Sequence, residues 1–396
     1  MFFDKVVSGN RNISCATCHH PRFGTGDGLS LGIGEGGVGV GPDRTPGQGD
    51  SRVKKRIPRN AQGLWNIGAK AQTILMHDGR IAVGDTYENE FDTPAEEWLP
   101  TGFDDLLAVQ AIFPMVAQFE MTGNLRENEI VGAVHDRVDN AWRIIEERVR
   151  SVEGYRTLFV ESSDTITTPA DINITHIGNA LGAFMNHQWR SIDSPFDDFL
   201  AGNGDALTPI QKQGMELFYG KANCSSCHSG PWLSDNQFHA LGLPTFGPGR
   251  TRLHNDLARD MGRLNESDAL EDAYRFRTPM LRNVALTAPY GHNGAYPTLE
   301  GIIRHHLDPV TSREHWKPEM ANLPFIPEFK AIDFVINDDR LEMARYTRAL
   351  DIKPIKLNDN EVKALVEFMH ALTGRTADLS VTMIPNDVPS GLPVDK

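Results

Sequence analysis

The stretch ISCATCHHPRFG, residues 13–24, contains the spacing Cys15-x-x-Cys18-His19. That spacing serves three chemistries: attachment of a haem, half of a zinc site, or a redox dithiol. The pattern returns once, as Cys224-Ser225-Ser226-Cys227-His228, and the two copies use all four cysteines of the chain. A zinc site needs its two pairs at matched spacing, whereas these pairs lie more than two hundred residues apart. A thioredoxin-type dithiol needs no adjacent His and expects a βαβ context, which is missing. The remaining reading is haem c. Two thioether bonds hold the vinyl groups, and the adjacent His turns under the iron. His19 and His228 are therefore the expected proximal ligands. The neighbouring His20 is read as exposed.

Working outward, each motif sits in a repeated plan. FFDKVVSGNRNISCATCHHP (2–21) matches LFYGKANCSSCHSGP (217–231) in having a short aromatic helix end, a polar loop and then the motif. Downstream, RNAQGLWN…LMHDGR (59–80) echoes RTPMLRNV…PYGHNG (277–294). Two copies of one plan imply a duplication with one chemical centre per half.

The 396 residues suffice for two domains. A net charge of −14 argues against nucleic acid as a partner. No apolar run approaches the roughly 18 residues of a membrane span. No signal peptide precedes the first motif. Haem is attached covalently outside the bacterial cytoplasm, so the expected location is the periplasm and the expected chain is mature or shortened at its start. Secondary-structure signals are helical. LTPIQKQGMELFYGK carries a Thr208-Pro209 start. Residues 125–151 read as one helix, and 174–189 as another with Ile177, Leu181 and Phe184 on one face. Residues 358–374 read as a helix stopped by Gly374. The Gly-rich stretch 30–51 reads as a structural or mobile loop, and 162–175 as the linker between halves.

At this point the sequence resembles the bacterial di-haem cytochrome c peroxidase and MauG family. The resemblance runs from Phe2 to about Gly374. It rests on NISCATCHHP, RNAQGLWN, MHDGR, QAIFPMVAQFEM, SPFDDFL, LTPIQKQGMELFYGKANCSSCH and FRTPMLRNVALTAPYGHNGAYPTLEGIIRHH in family order. It implies a mainly α fold of two cytochrome c-like helical domains, 1–165 (peroxidatic) and 166–396 (electron-transferring). Each would hold one haem c, with a calcium ion between them. It also implies that Gln110, Pro114 and Glu120 line the pocket of the N-terminal haem. A carboxylate such as Glu120 can take a proton from one oxygen of bound peroxide and deliver it to the other.

The family pattern also has departures. Residues 21–76 contain no His, so the His that blocks the resting N-terminal iron in typical peroxidases has no counterpart there. The expected site is open and high-spin, as in MauG. The family's relay Trp before Asp-Gly-Arg is His77 here, with Trp65 as a substitute relay. His77 could instead cap the first iron. Residues 87–100 read as an added loop over the pocket or at a partner surface. The sixth ligand of the C-terminal iron falls on His306, where the family has Met or Tyr. Bis-His ligation gives a lower potential than His/Met. His305 competes, but adjacent helical residues point about 100° apart, so one of the two reaches the iron. Met280 and Met320 are fallback ligands. Calcium would take Asn60, Thr287 and Pro289, an oxygen set suited to a hard cation.

The leading expectation is a periplasmic peroxidase acting on hydrogen peroxide, with a small cytochrome c or cupredoxin as donor. The alternatives are MauG-type oxidation of residues on a partner protein and a non-catalytic di-haem electron carrier. Family members often dimerise.

Overall fold

The computed structural model describes residues 1–250 and 259–396. Helices dominate, joined by long irregular segments. The strands are short: Ile74–Leu75, Ile81–Val83 and Phe91–Asp92 form one antiparallel sheet, and Phe238–His239 pairs with Phe276–Arg277.

Local chemistry explains the best-defined helices. Pro209–Tyr219 starts at Thr208, whose hydroxyl accepts from the Gln211 amide while the Gln211 side chain accepts from the Thr208 amide, with Pro209 in the first turn. Asp359–Ala371 starts with the same reciprocal cap between Asn358 and Glu361. These two helices pack at Gly214, where an added Cβ would lie 1.9 Å from the Ala364 carbonyl oxygen. Phe196, Phe218 and Phe368 fill the core beside them. The first core repeats the device. Helix Ile174–Gln188 crosses Leu106–Ile112 with Gly178 and Gly182 against Ala108.

Several sequence expectations are corrected by packing. The helix expected over 125–151 is two, Glu129–Asp136 and Val138–Ser151, separated by Arg137 in an extended conformation. The Arg137 guanidinium lies 3.9 Å from the Trp98 ring centroid and pairs with Asp139, contacts that an unbroken helix would have to supply differently. Gly374 does not cap its helix, which ends at Ala371 with Leu372 as its C-cap. Gly374 is instead a close-approach residue, where a Cβ would lie 2.0 Å from the Ser191 hydroxyl oxygen.

Residues 162–175 are no linker. Ile166, Ile172 and Ile174 are buried in the first core together with Ile177, Leu181, Met185 and Trp189. That core therefore continues past the expected 165/166 boundary, and the second core begins at Phe196. The chain end returns to the first half as well: Val388 joins its core and Asp395 pairs with Lys5 and Thr17.

The Gly-rich stretch is structural, with Leu31 and Ile33 fully buried and Arg44 donating to the carbonyls of Ile33, Gly34 and Gly39. His20 is buried, contrary to expectation, with its ring beside Phe23. The inserted stretch 87–100 carries the third strand of the first sheet and the half-exposed Trp98.

Candidate active site

Both Cys-x-x-Cys-His motifs begin as one helical turn. Cys15–Cys18 is capped by Ser14, whose amide donates to the Thr17 hydroxyl at 2.9 Å. Cys224–Ser226 is a tighter turn entered through Asn223, with φ +54°. All four thiols are free. Burial pushes Cys15 up to about 11 and Cys18 and Cys224 up to about 12, so none of these three is a thiolate poised for metal. Among the described residues, Cys227, Asp235 and His239 lie close enough to share an ion. That set offers one sulfur and brings no second cysteine pair, so the zinc reading gains nothing.

The motif histidines are held alike. His19 Nδ1 lies 3.0 Å from the Thr25 carbonyl oxygen, and His228 Nδ1 lies 2.9 Å from that of Leu233. A carbonyl can only accept, so Nδ1 is the protonated nitrogen in the tautomer that leaves Nε2 as a ligand, and each ring also faces a second backbone carbonyl, that of Gln62 for His19 and that of Pro279 for His228. Burial lowers the pKa of His19, and takes that of His228 down to about 4, which keeps both rings neutral as ligands must be.

The ends of the two cores are also bonded alike. The Asn66 amide donates to the Trp189 carbonyl, and Asn66 Oδ1 accepts from the Ser191 amide. The Asn283 amide donates to the Leu372 carbonyl, and Asn283 Oδ1 accepts from the Gly374 amide. Both asparagines have positive φ, +57° and +60°.

On helix Leu299–Leu307 the adjacent histidines differ. His305 has both ring nitrogens engaged, by the Tyr296 hydroxyl at 2.9 Å and the Leu241 carbonyl at 2.8 Å. His306 places Nδ1 2.8 Å from the Ile302 carbonyl, and no hydrogen bond among the described residues engages its Nε2. It is also close enough to His228 for its charge to disfavour protonation there. Met280 packs on the first core, and Met320 packs beside Leu31 and Trp316.

Gln110, Pro114 and Glu120 lie on three successive elements of one continuous stretch. Gln110 lies on helix Leu106–Ile112, and its buried Oε1 has no hydrogen-bond partner among the described residues. Pro114 opens the next turn, Pro114–Val116. Glu120 lies in the wide turn Gln118–Thr122, against Gly34, where a Cβ would meet the carbonyl oxygens of Phe119 and Glu120. Burial raises the Glu120 pKa, opposed by Arg80 and Arg250. The charge of Glu120 is also felt at Cys18. A buried carboxyl with a raised pKa, close enough to the first motif for its charge to be felt there, is suited to exchanging protons.

Between the halves, the Asn60 amide donates to the His292 carbonyl and the Arg277 amide donates to the His77 carbonyl, both at 2.8 Å. His77 Nε2 donates to the Asn60 carbonyl at 3.1 Å. His292 stacks on Phe276, with centroids 3.5 Å apart and planes 8° from parallel. Burial takes His77 down to about 4 and His292 to about 3, so both are neutral. Trp65 lies in the first core, and its indole donates to the Gly24 carbonyl. Asp78 is fully buried among Arg59, Arg80 and Arg250. Burial opposes its ionisation, but the guanidiniums outweigh burial and hold the carboxyl well below the usual range. Sequence reasoning passed over the His292 stack and this ion cluster, although the MHDGR and GHNGA echo contains residues of both.

The expected calcium residues adjoin. Asn60 Nδ2 donates to the Leu29 carbonyl, and no hydrogen bond among the described residues uses its Oδ1. Neither the Thr287 nor the Pro289 carbonyl accepts a hydrogen bond among the described residues. Gly63 lies against Thr287 Cγ2, and Gly294 against both Pro289 and Ser30. Uncommitted oxygens of this kind fit a hard cation.

Residues 1–205 match the family described as "Di-haem cytochrome c peroxidase". The methylamine utilization protein MauG of Methylorubrum extorquens is 26% identical over 97% of this chain and 79% of its own length. The cytochrome-c peroxidase IdrP2 of Denitromonas iodatirespirans is 26% identical, covering 98% of this chain and 84% of its own. The crystal structure of a MauG-like protein associated with microbial copper homeostasis superposes with a TM-score of 0.59 at 23% identity, covering 95% of this chain and 88% of that one. That last likeness shows the fold.

Proposed function

The chain belongs to the di-haem cytochrome c peroxidase family, and from that membership we propose that it reduces hydrogen peroxide at a haem held by the first Cys-x-x-Cys-His motif, with electrons passed on from a haem held by the second. The observation that carries this reading is the matched pair of histidines, His19 and His228, each following a Cys-x-x-Cys pair and each with Nδ1 tied to a backbone carbonyl. The matched bonds of Asn66 and Asn283 support a duplicated plan of two helical units with one haem in each.

When bound, haem iron supplies the redox chemistry: peroxide, two electrons and two protons yield two waters. The protein's share is attachment, ligation and proton handling. Cys15, Cys18, Cys224 and Cys227 would form the thioether links, and His19 and His228 would ligate the irons. His306 completes the second site, since His305 has both nitrogens occupied. Glu120 takes a proton from one peroxide oxygen and returns it to the other, Gln110 Oε1 orients the substrate, and Pro114 shapes the pocket. The first site stays open at rest, because residues 21–76 hold no His and His77 Nε2 donates to the Asn60 carbonyl. His77 sits at the junction where electrons cross, and Asn60, Thr287 and Pro289 hold calcium there. A small cytochrome c or cupredoxin in the periplasm supplies the electrons. The open first site and a second ligand other than Met also favour a MauG-like branch, in which residues of a partner protein are oxidised.

The test is the low-temperature EPR spectrum of the as-isolated diferric holoprotein, followed by peroxide addition. One high-spin and one bis-His low-spin signal are expected, with turnover that needs no prior reduction. Two low-spin signals without peroxide turnover would overturn the proposal in favour of an electron carrier.

A further inference from the structure

Among the described residues six arginines are buried: Arg44, Arg56, Arg59, Arg148, Arg277 and Arg282. Four of them pair with carboxylates: Arg56 with Asp333, Arg59 with Asp78 and Asp260, Arg148 with Glu129, and Arg282 with Asp197. Arg44 makes three bonds to carbonyls and lies within electrostatic reach of Asp27 and Glu35. Arg277 differs from all of these. Its Nε donates to the Met76 carbonyl at 3.1 Å and its Nη1 to the Thr278 carbonyl at 3.2 Å. Among the described residues no carboxylate pairs with it, and no hydrogen bond there uses Nη2. Burial alone pushes its pKa down, to about 10, with no neighbouring charge to offset the effect. The group is still a cation at neutral pH, and an uncompensated buried charge costs several kcal/mol.

Its position says which anion would relieve that cost. The Arg277 backbone is bonded to the His77 carbonyl, so the side chain belongs to the junction between the halves. Two residues on, the Pro279 backbone lies against the His228 ring. Among the described residues the Nη2 end of this guanidinium is left without a bond, two residues along the chain from the contact with His228, and such an end suits a carboxylate. We infer that Arg277 binds a propionate carboxylate of the haem carried by Cys224 and Cys227, supplying the counter-charge that the protein itself withholds. The inference rests on the di-haem reading above.

The test uses full-length holoprotein carrying Arg277→Gln or Arg277→Lys. Mass spectrometry counts covalent haems, and an EPR-monitored potentiometric titration follows each iron. Arg277→Gln is expected to keep two haems and to shift the ferric/ferrous ratio of the second iron at least tenfold toward ferric, a fall of about 59 mV for one electron. Arg277→Lys keeps the charge and is expected to recover most of that fall. If Arg277→Gln does not accumulate, Arg277→Lys is read by resonance Raman, where loss of the guanidinium is expected to shift the propionate bending mode of the second haem. An unchanged second potential in a two-haem Gln variant overturns the inference, as does a fall confined to the first iron or an unchanged bending mode in the Lys variant. A wild-type chain with no covalent haem would instead overturn the reading on which it rests.

Discussion

Replacing Asp78 with Asn isolates the ion cluster at the junction. The carboxylate lies 2.6 Å from Arg59, 2.7 Å from Arg250 and 3.1 Å from Arg80. At an effective dielectric constant near 20, two unit charges about 4 Å apart attract by about 4 kcal/mol. Desolvating a carboxylate costs several kcal/mol, so the net value of the cluster is small. The substitution matters through the cations it leaves behind. Arg59 keeps Asp260 through two bonds of 2.7 Å, and Arg250 keeps Glu266. Arg80 makes no second ion pair among the described residues, and the further carboxyl it faces, that of Glu120, has its pKa raised by burial. Removing one member of a buried pair costs about 3–5 kcal/mol. With two of three cations still matched, the loss is expected at the low end, about 3 kcal/mol. Urea unfolding of the holoprotein, followed by tryptophan fluorescence, measures it. Glu266→Gln is the control. Arg250 keeps Asp78 there and the Glu266 side chain is 19% exposed, so about 1 kcal/mol or less is expected. If the Asp78 variant lies within about 0.5 kcal/mol of wild type, or the two variants lose equal stability, the reasoning about orphaned cations is wrong.

Three further outcomes are expected. Glu120→Gln lowers kcat for peroxide by about a hundred- to ten-thousand-fold with the resting EPR spectrum unchanged; a loss below about tenfold removes Glu120 from proton transfer. His306→Met raises the potential of the second iron, because a thioether ligand favours the ferrous state, and a potentiometric titration showing no rise would assign the ligand elsewhere. Burial raises Asp27 from 3.8 to about 7, so between those values the folded chain holds a proton that the unfolded chain has lost. The contribution of Asp27 to stability therefore falls as pH rises from about 4 to 7, by at most about 4 kcal/mol, while the buried neutral histidines contribute with the opposite sign. Asp27→Asn is expected to make stability, measured relative to wild type, rise between about pH 4 and 7 in unfolding experiments at several pH values, and a difference that does not change with pH would place the titration in another group.

Much of the fold was legible where its cause is local. The reciprocal caps at Thr208 and Asn358 involve residues three apart, so the starts of Pro209–Tyr219 and Asp359–Ala371 could be read directly. The same locality makes the two cysteine motifs readable. The break at Arg137 was not readable, because Trp98 lies far away in sequence. Neither was the role of Gly374, which depends on Ser191. The boundary at 165/166 failed for a related reason. A polar, Thr-rich stretch looks like a linker, yet its isoleucines face the first core.

The site divides along the same line. The sequence alone determined that four cysteines and two histidines fall into two equivalent Cys-x-x-Cys-His motifs, because residues of one motif are neighbours in the chain. It also showed that His305 and His306 cannot both face one centre, since successive helical residues diverge. Tertiary structure alone decided which ring is occupied, through Tyr296 and Leu241. It decided that Asn60 and Arg277 reach the opposite half's histidine turn. It alone left Arg277 buried without a carboxylate while Arg59 has two. Charge balance in a low-dielectric interior depends on which groups approach in space, and spacing along the chain does not encode that.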